Sequence, residues 1–198
     1  MKRTVVFILL FSLFLTLPVY AERPPIGEDA WIKPAHEPEA VEETEIGYSD
    51  AEINQITNVV TGEVGGITGT VILTYADGSQ LYTDACTLHK IHACIVDNQV
   101  KSSLFPSSVY SCVNQCWSYA YSGTGYNSSA QWKHCREDVT DALYDHFRDG
   151  TKMIPSNVFA ATCDPYFASY YSGWKLWARV DWNTGWFAGT FYYYSYGG

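Results

Sequence analysis

The sequence predicts an α+β domain of about 150 residues, and three patterns carry that expectation. They are an amphipathic helical repeat behind Ser49, a hairpin over residues 70–83, and short runs of strand formers after Pro155. The first helix opens on a capping box, Ser49 with Glu52 three residues on. At the helical step, Ile53, Ile56, Val59, Val60 and Val64 share one arc, and Glu63 falls inside it. A carboxyl on the apolar side, in the last turn where the helix dipole is negative, is disfavoured as an anion on two counts, so its pKa should rise. Such a group suits a general acid at neutral pH. Gly62, Gly65 and Gly66 end the helix and allow close approach of backbone or ligand. For an isolated helix the plainer alternative is a glutamate whose stem packs while its head reaches water.

The hairpin joins residues 70–75 to 80–83, with Asp77-Gly78 expected to supply positive φ angles at its turn. Leu88, Ile91, Cys94, Ile95 and Asn98 then recur at helical spacing from about Thr87 to Lys101, turning Asn98 inward, where backbone or a ligand must satisfy its amide. Phe105-Pro106-Ser107-Ser108 reads as a turn into a short helix that ends near Gln115 and Cys116. A loop rich in Gly, Ser and Tyr over residues 119–129 is a candidate cleft wall. The helix after it, from about Ser128 to Arg148, points Trp132, Cys135, Val139, Ala142, Leu143 and Phe147 inward and stops at Gly150. Its acids, Glu137, Asp138, Asp141 and Asp145, read as a solvated face. Three short strands are expected around residues 157–161, 174–180 and 191–194, amid aromatic residues that are core by default, with some able to stack on sugar rings.

Residues 1–21 have the charged, apolar and small-residue regions of a secretory signal, with cleavage expected after Ala21. The apolar run falls short of the roughly 20 residues of a membrane span, so the mature chain is expected to be exported, to the periplasm or the cell wall and exterior, without stable membrane insertion. Residues 22–48 form an acidic, proline-broken linker, and the domain proper is expected over residues 49–198. The linker and the first residues of the helix hold much of the formal charge of −9, and no basic stripe survives elsewhere, which argues against nucleic acid as partner.

Six cysteines, Cys86, Cys94, Cys112, Cys116, Cys135 and Cys163, in an exported chain suggest three disulfides of open connectivity. Zinc is the competing use for Cys86, His89, His92 and Cys94, but their spacing matches no standard site, so neither a metal nor another cofactor is expected.

The order of these pieces resembles the SleB-type cell wall hydrolases, the family of the spore-cortex-lytic enzymes. Gly62-Glu63-Val64-Gly65-Gly66 is similar to its catalytic-Glu turn, and residues 95–113 to the following helix with its inward Asn and Phe-Pro turn. Gln115, Ala142-Leu143, residues 155–159 and residues 189–192 continue in the family order. The chain differs where it has Gln99 in place of the usual Arg, Gly189-Thr190 where a His commonly precedes the final Phe-Tyr, and a longer hairpin. The resemblance implies a lysozyme-like fold and cleavage of peptidoglycan glycan strands between N-acetylmuramic acid and N-acetylglucosamine, with Glu63 as general acid. Asp84 is the candidate second carboxylate, since Asp77 is accounted for by its turn. If neither reaches the cleft, Glu63 returns as base and the reaction is that of a lytic transglycosylase, the expected activity. Asn98, Gln115, Tyr119 and Tyr126 are candidates for orienting the sugars. The rival readings are an exported glycan-binding or structural domain without catalysis, and a Cys–His hydrolase using Cys86 or Cys94 with His89 or His92.

Overall fold

The computed structural model describes residues 47–117, 129–149, 153–183 and 188–197, with side chains described to residue 144 in the second of these stretches. They fall within a single unit, Pro38–Gly198. The expected signal, nearly all of the linker, Tyr119 and Tyr126 lie outside the described residues. Tyr48, assigned to the linker by its sequence context, belongs to the fold. It is buried and donates a 2.6 Å hydrogen bond to Asp97 Oδ1.

Helix α1 (Asp50–Glu63) starts at the predicted capping box, with the Ser49 hydroxyl accepting from the Glu52 amide and the Glu52 carboxylate reaching back to the Ser49 amide. Its predicted arc is buried: Ile53, Ile56, Val59 and Val60 are all 2 % exposed or less. The hairpin follows as β1 (Thr70–Tyr75) and β2 (Gln80–Asp84). Of its turn residues only Gly78 has a positive φ, +85°. Asp77 instead accepts hydrogen bonds from the amide and hydroxyl of Ser79, which holds its carboxyl below the usual range.

Helix α2 (Ala85–Lys101) is capped by Asp84, whose carboxylate accepts from the Thr87 amide. It is the central element, packed by α1, by α3 (Val109–Cys116), by α4 (Ala130–Asp149) and by β3 (Val158–Thr162). The apolar repeat marked one inward face, yet His89, His92, Asp97 and Gln99 are buried as well, because neighbours cover nearly the whole circumference. Short helix α5 (Phe167–Tyr170) precedes β4 (Trp174–Asn183) and β5 (Ala188–Tyr196). The five strands form one antiparallel sheet in the order β2-β1-β4-β5-β3. The predicted hairpin is therefore one edge of a larger sheet, joined to the C-terminal strands through pairs such as Leu73 with Val180. The α+β class holds, with five helices among the described residues. None of them is long and apolar enough to cross a membrane.

No disulfide joins any of the six cysteines, against the expected three. The thiols face other partners: Cys86 lies against His134, Cys135 against His89, and Cys112 donates to Gln99 Oε1. Cys112 and Cys116, neighbours one helical turn apart, are also within hydrogen-bonding reach of each other.

His92 joins α2 to the sheet. Its ring packs edge-on to Phe191 at 5.5 Å and Tyr193 at 5.6 Å, and its Nδ1 meets the Leu88 carbonyl at 3.0 Å. Complete burial, aided by nearby His89, lowers its pKa to about 4. An unfolded chain takes up this proton near the ordinary value of 6.5, so the unfolded state binds more protons between these limits. The stability conferred by neutral His92 should be present above pH 6.5 and lost as pH falls to about 4, a change of about 3 kcal/mol. Urea unfolding across this range should show that acid slope, and His92→Phe should flatten it; an unchanged slope would place the acid sensitivity elsewhere.

Candidate functional site

Glu63 is the last residue of α1, and no basic residue occupies that turn. The side chain is half-buried, and its carboxyl is raised above the ordinary value by burial alone, with no hydrogen bond or neighbouring charge contributing. The expected rise is found, and burial, one of the two expected causes, accounts for it. Across from it lies Cys163, just beyond β3, whose thiol is raised first by burial and then by the Glu63 charge. That thiol in turn adds to the shift of Tyr193, whose buried hydroxyl has no hydrogen-bond partner among the described residues. Glu63, Cys163 and Tyr193 are thus electrostatic neighbours, the thiol exposed and the tyrosine fully buried.

A cleft of about 510 Å³ opens beside the loop after α1. Gly65–Thr70 form one wall, Asp84, Cys86 and His89 line it from the start of α2, and Gln131 and His134 from α4. Gly65 is required there for a close approach: a Cβ would lie 2.7 Å from the Thr61 carbonyl and 2.9 Å from Gln131 Nε2. Glu63 is not among the lining residues, although the wall begins two positions after it.

The other predicted site residues are dispersed. Asp84 borders this cleft, but its Oδ1 accepts from both the amide and the hydroxyl of Thr87, so the carboxylate serves as the α2 cap. Asn98 points inward as expected, and backbone rather than ligand satisfies it: Nδ2 donates to the carbonyls of Pro155 at 2.9 Å and Val158 at 3.0 Å. It ties α2 to the entry of β3 and is not positioned as a sugar contact. Gln115 is exposed on the last turn of α3. Cys94 and His92 are buried in the core, so the four residues weighed together for zinc do not converge.

Two residues of consequence were missed. Asp138, expected on a solvated face, is only 7 % exposed and accepts from His89 Nδ1 at 2.7 Å. His134, one turn earlier, places Nε2 3.4 Å from Cys86 Sγ and 3.7 Å from Asp138 Oδ2. The signal for Asp138 was present, since it stands three residues after Cys135 and four before Ala142, within the buried arc of α4. Nothing local distinguishes His134, whose role depends on a partner 48 positions earlier. Compared with protein-family models, curated proteins and solved structures, the chain matches none of them.

Proposed function

We propose that this chain cleaves the glycan strand of peptidoglycan between N-acetylmuramic acid and N-acetylglucosamine, as a lytic transglycosylase with Glu63 as general acid and then base. One observation carries the reading: Glu63 is half-buried at a helix end, burial lifts its carboxyl, and no cation offsets the shift. Such a carboxyl retains its proton closer to neutrality and can donate it to the glycosidic oxygen as positive charge develops on the sugar. The engagement of both hairpin acids favours the non-hydrolytic branch. Oδ1 of Asp77 accepts from Ser79 and Oδ1 of Asp84 from Thr87, so each acid already serves its turn or cap. The Glu63 carboxylate would then take the proton of the muramyl 6-hydroxyl as that oxygen closes on C1, giving an anhydro end without consuming water. Mass spectrometry of muropeptides released from purified cell walls tests this, because anhydro and reducing ends differ by one water. Reducing ends would assign a hydrolase, and intact strands would remove the activity altogether.

A second reading, glycan binding without cleavage, is favoured by an exposed aromatic patch. Tyr166, Tyr170 and Tyr171 are 64 %, 67 % and 56 % exposed beside Phe167 and Trp174, whose ring centroids lie 5.2 Å apart. Sugar rings stack on such faces. Tyr170→Ala should weaken cosedimentation with cell walls by about two- to tenfold, the range of one aromatic contact. Undiminished cosedimentation would exclude this face as a carbohydrate platform.

A further inference from the structure

We infer that Cys86, His134 and Asp138 form a binding site for a single zinc-class divalent cation, clamped between α2 and α4 at the edge of the cleft. Three chemically different donor atoms, Cys86 Sγ, His134 Nε2 and an Asp138 carboxylate oxygen, lie within 4.8 Å of one another. Zinc bonds of about 2.3 Å to sulfur and 2.0–2.1 Å to nitrogen or oxygen, at tetrahedral angles, give a sulfur–nitrogen edge of about 3.6 Å and a nitrogen–oxygen edge of about 3.3 Å. The corresponding separations are 3.4 Å and 3.7 Å, so these two edges lie within a few tenths of an ångström of the ideal, and the sulfur–carboxylate edge is no longer than 4.8 Å.

The same distances argue against Cys86, His134 and Asp138 acting as a thiol-nucleophile triad. A triad histidine uses one ring nitrogen toward the nucleophile and the other toward the orienting acid. Here a single atom, His134 Nε2, faces both Cys86 and Asp138, so the three groups converge on a point rather than forming a relay. Soft thiolate, borderline imidazole and hard carboxylate together suit zinc and its neighbours better than magnesium or calcium, which prefer oxygen throughout.

The surroundings support the ligands. His134 and Asp138 are spaced i, i+4 on α4, and Cys86 and His89 are spaced i, i+3 on α2, so each helix presents two of the four side chains on one face. His89, buried and 2.7 Å from Asp138 Oδ2, orients the carboxylate as an outer-shell partner, while its Nε2 lies 3.8 Å from Cys135 Sγ. Three protein ligands leave a tetrahedral ion one further position for water or a substrate oxygen, and Cys86 and His134 both line the cleft.

The test uses the full chain, purified with a non-chelating reductant and titrated with cobalt(II) as a spectroscopic probe and with zinc in competition with a chromophoric chelator. One equivalent should bind, with sulfur-to-cobalt charge-transfer absorption and tetrahedral d–d bands. Cys86→Ser should abolish the charge-transfer band, His134→Ala should weaken zinc binding by about 100-fold or more, and His89→Gln by about 10- to 100-fold with the band retained. His134 is 56 % exposed, so its substitution should leave the far-UV circular dichroism unchanged and keep the comparison within a folded protein. Persistence of the band in Cys86→Ser, unchanged zinc affinity in His134→Ala, or no stoichiometric binding by the parent chain would each overturn the site. Glu63→Gln should bind zinc like the parent, so this site and the glycan-cleaving role of Glu63 stand or fall separately.

Discussion

Glu63→Gln should lower glycan-strand cleavage by about a hundred- to ten-thousand-fold, the contribution expected of a positioned proton donor. The amide is nearly isosteric and cannot transfer the proton, so the loss should appear in turnover rather than in cosedimentation with cell walls. A second signature follows from burial. The folded-state carboxyl is raised above its ordinary value of 4.5, so the folded state holds the proton more tightly than the unfolded one. The stability conferred by that protonation is fully present below pH 4.5 and is lost as pH rises through the folded value. Glu63→Gln should therefore be more stable than the parent at pH 7 and closely similar at pH 4, as measured by urea midpoints. The pH profile of activity separates the two chemistries. If Glu63 alone handles the proton, the rate should fall along a single limb as pH rises through its folded pKa, whereas a second carboxylate base would add an acid limb. A variant retaining a tenth of parental cleavage would remove Glu63 from the mechanism.

The legible parts of the fold were those fixed by residues close in sequence. The Ser49–Glu52 box, the apolar arc of α1 and the hairpin over Gly78 depend on neighbours within a few positions, and all three are present. Sheet assembly was not legible, because β1 pairs with β4 through contacts such as Val71 with Trp182, more than 100 positions apart. At single residues, orientation could be read where partnership could not. Asn98 was correctly turned inward, but nothing near it indicates that the Pro155 and Val158 carbonyls would take its amide hydrogens. Asp138 was lost to the expectation that helix acids face water, because the buried His89 that accounts for its burial lies 49 residues away. The same distance effect hid the site between α2 and α4. Each helix carries half of it, and neither half has the spacing of a standard metal motif.

Gln99→Leu should cost about 3–4 kcal/mol, a large share of the roughly 5–15 kcal/mol typical of a folded domain. Gln99 is 4 % exposed and uses both ends of its amide: Nε2 donates to the Phe159 carbonyl at 2.6 Å, and Oε1 accepts from the Trp117 indole at 2.8 Å. Leucine fills similar volume but leaves a buried acceptor and a buried donor unsatisfied, each costing about 1–3 kcal/mol. This pairing also suits glutamine better than arginine. The slot lies between a carbonyl that needs a donor and an indole that needs an acceptor, and arginine has five donors and no acceptor. Gln99→Arg could still reach Phe159, but it would strand the Trp117 N–H and bury a charge, so its loss should exceed that of Gln99→Leu. Leu104→Ala, at a position 57 % exposed, should change stability by less than about 0.5 kcal/mol and serves as the control. Urea midpoints decide the matter: a Gln99→Leu chain within 1 kcal/mol of the parent would mean that α2, β3 and Trp117 are held together by packing alone.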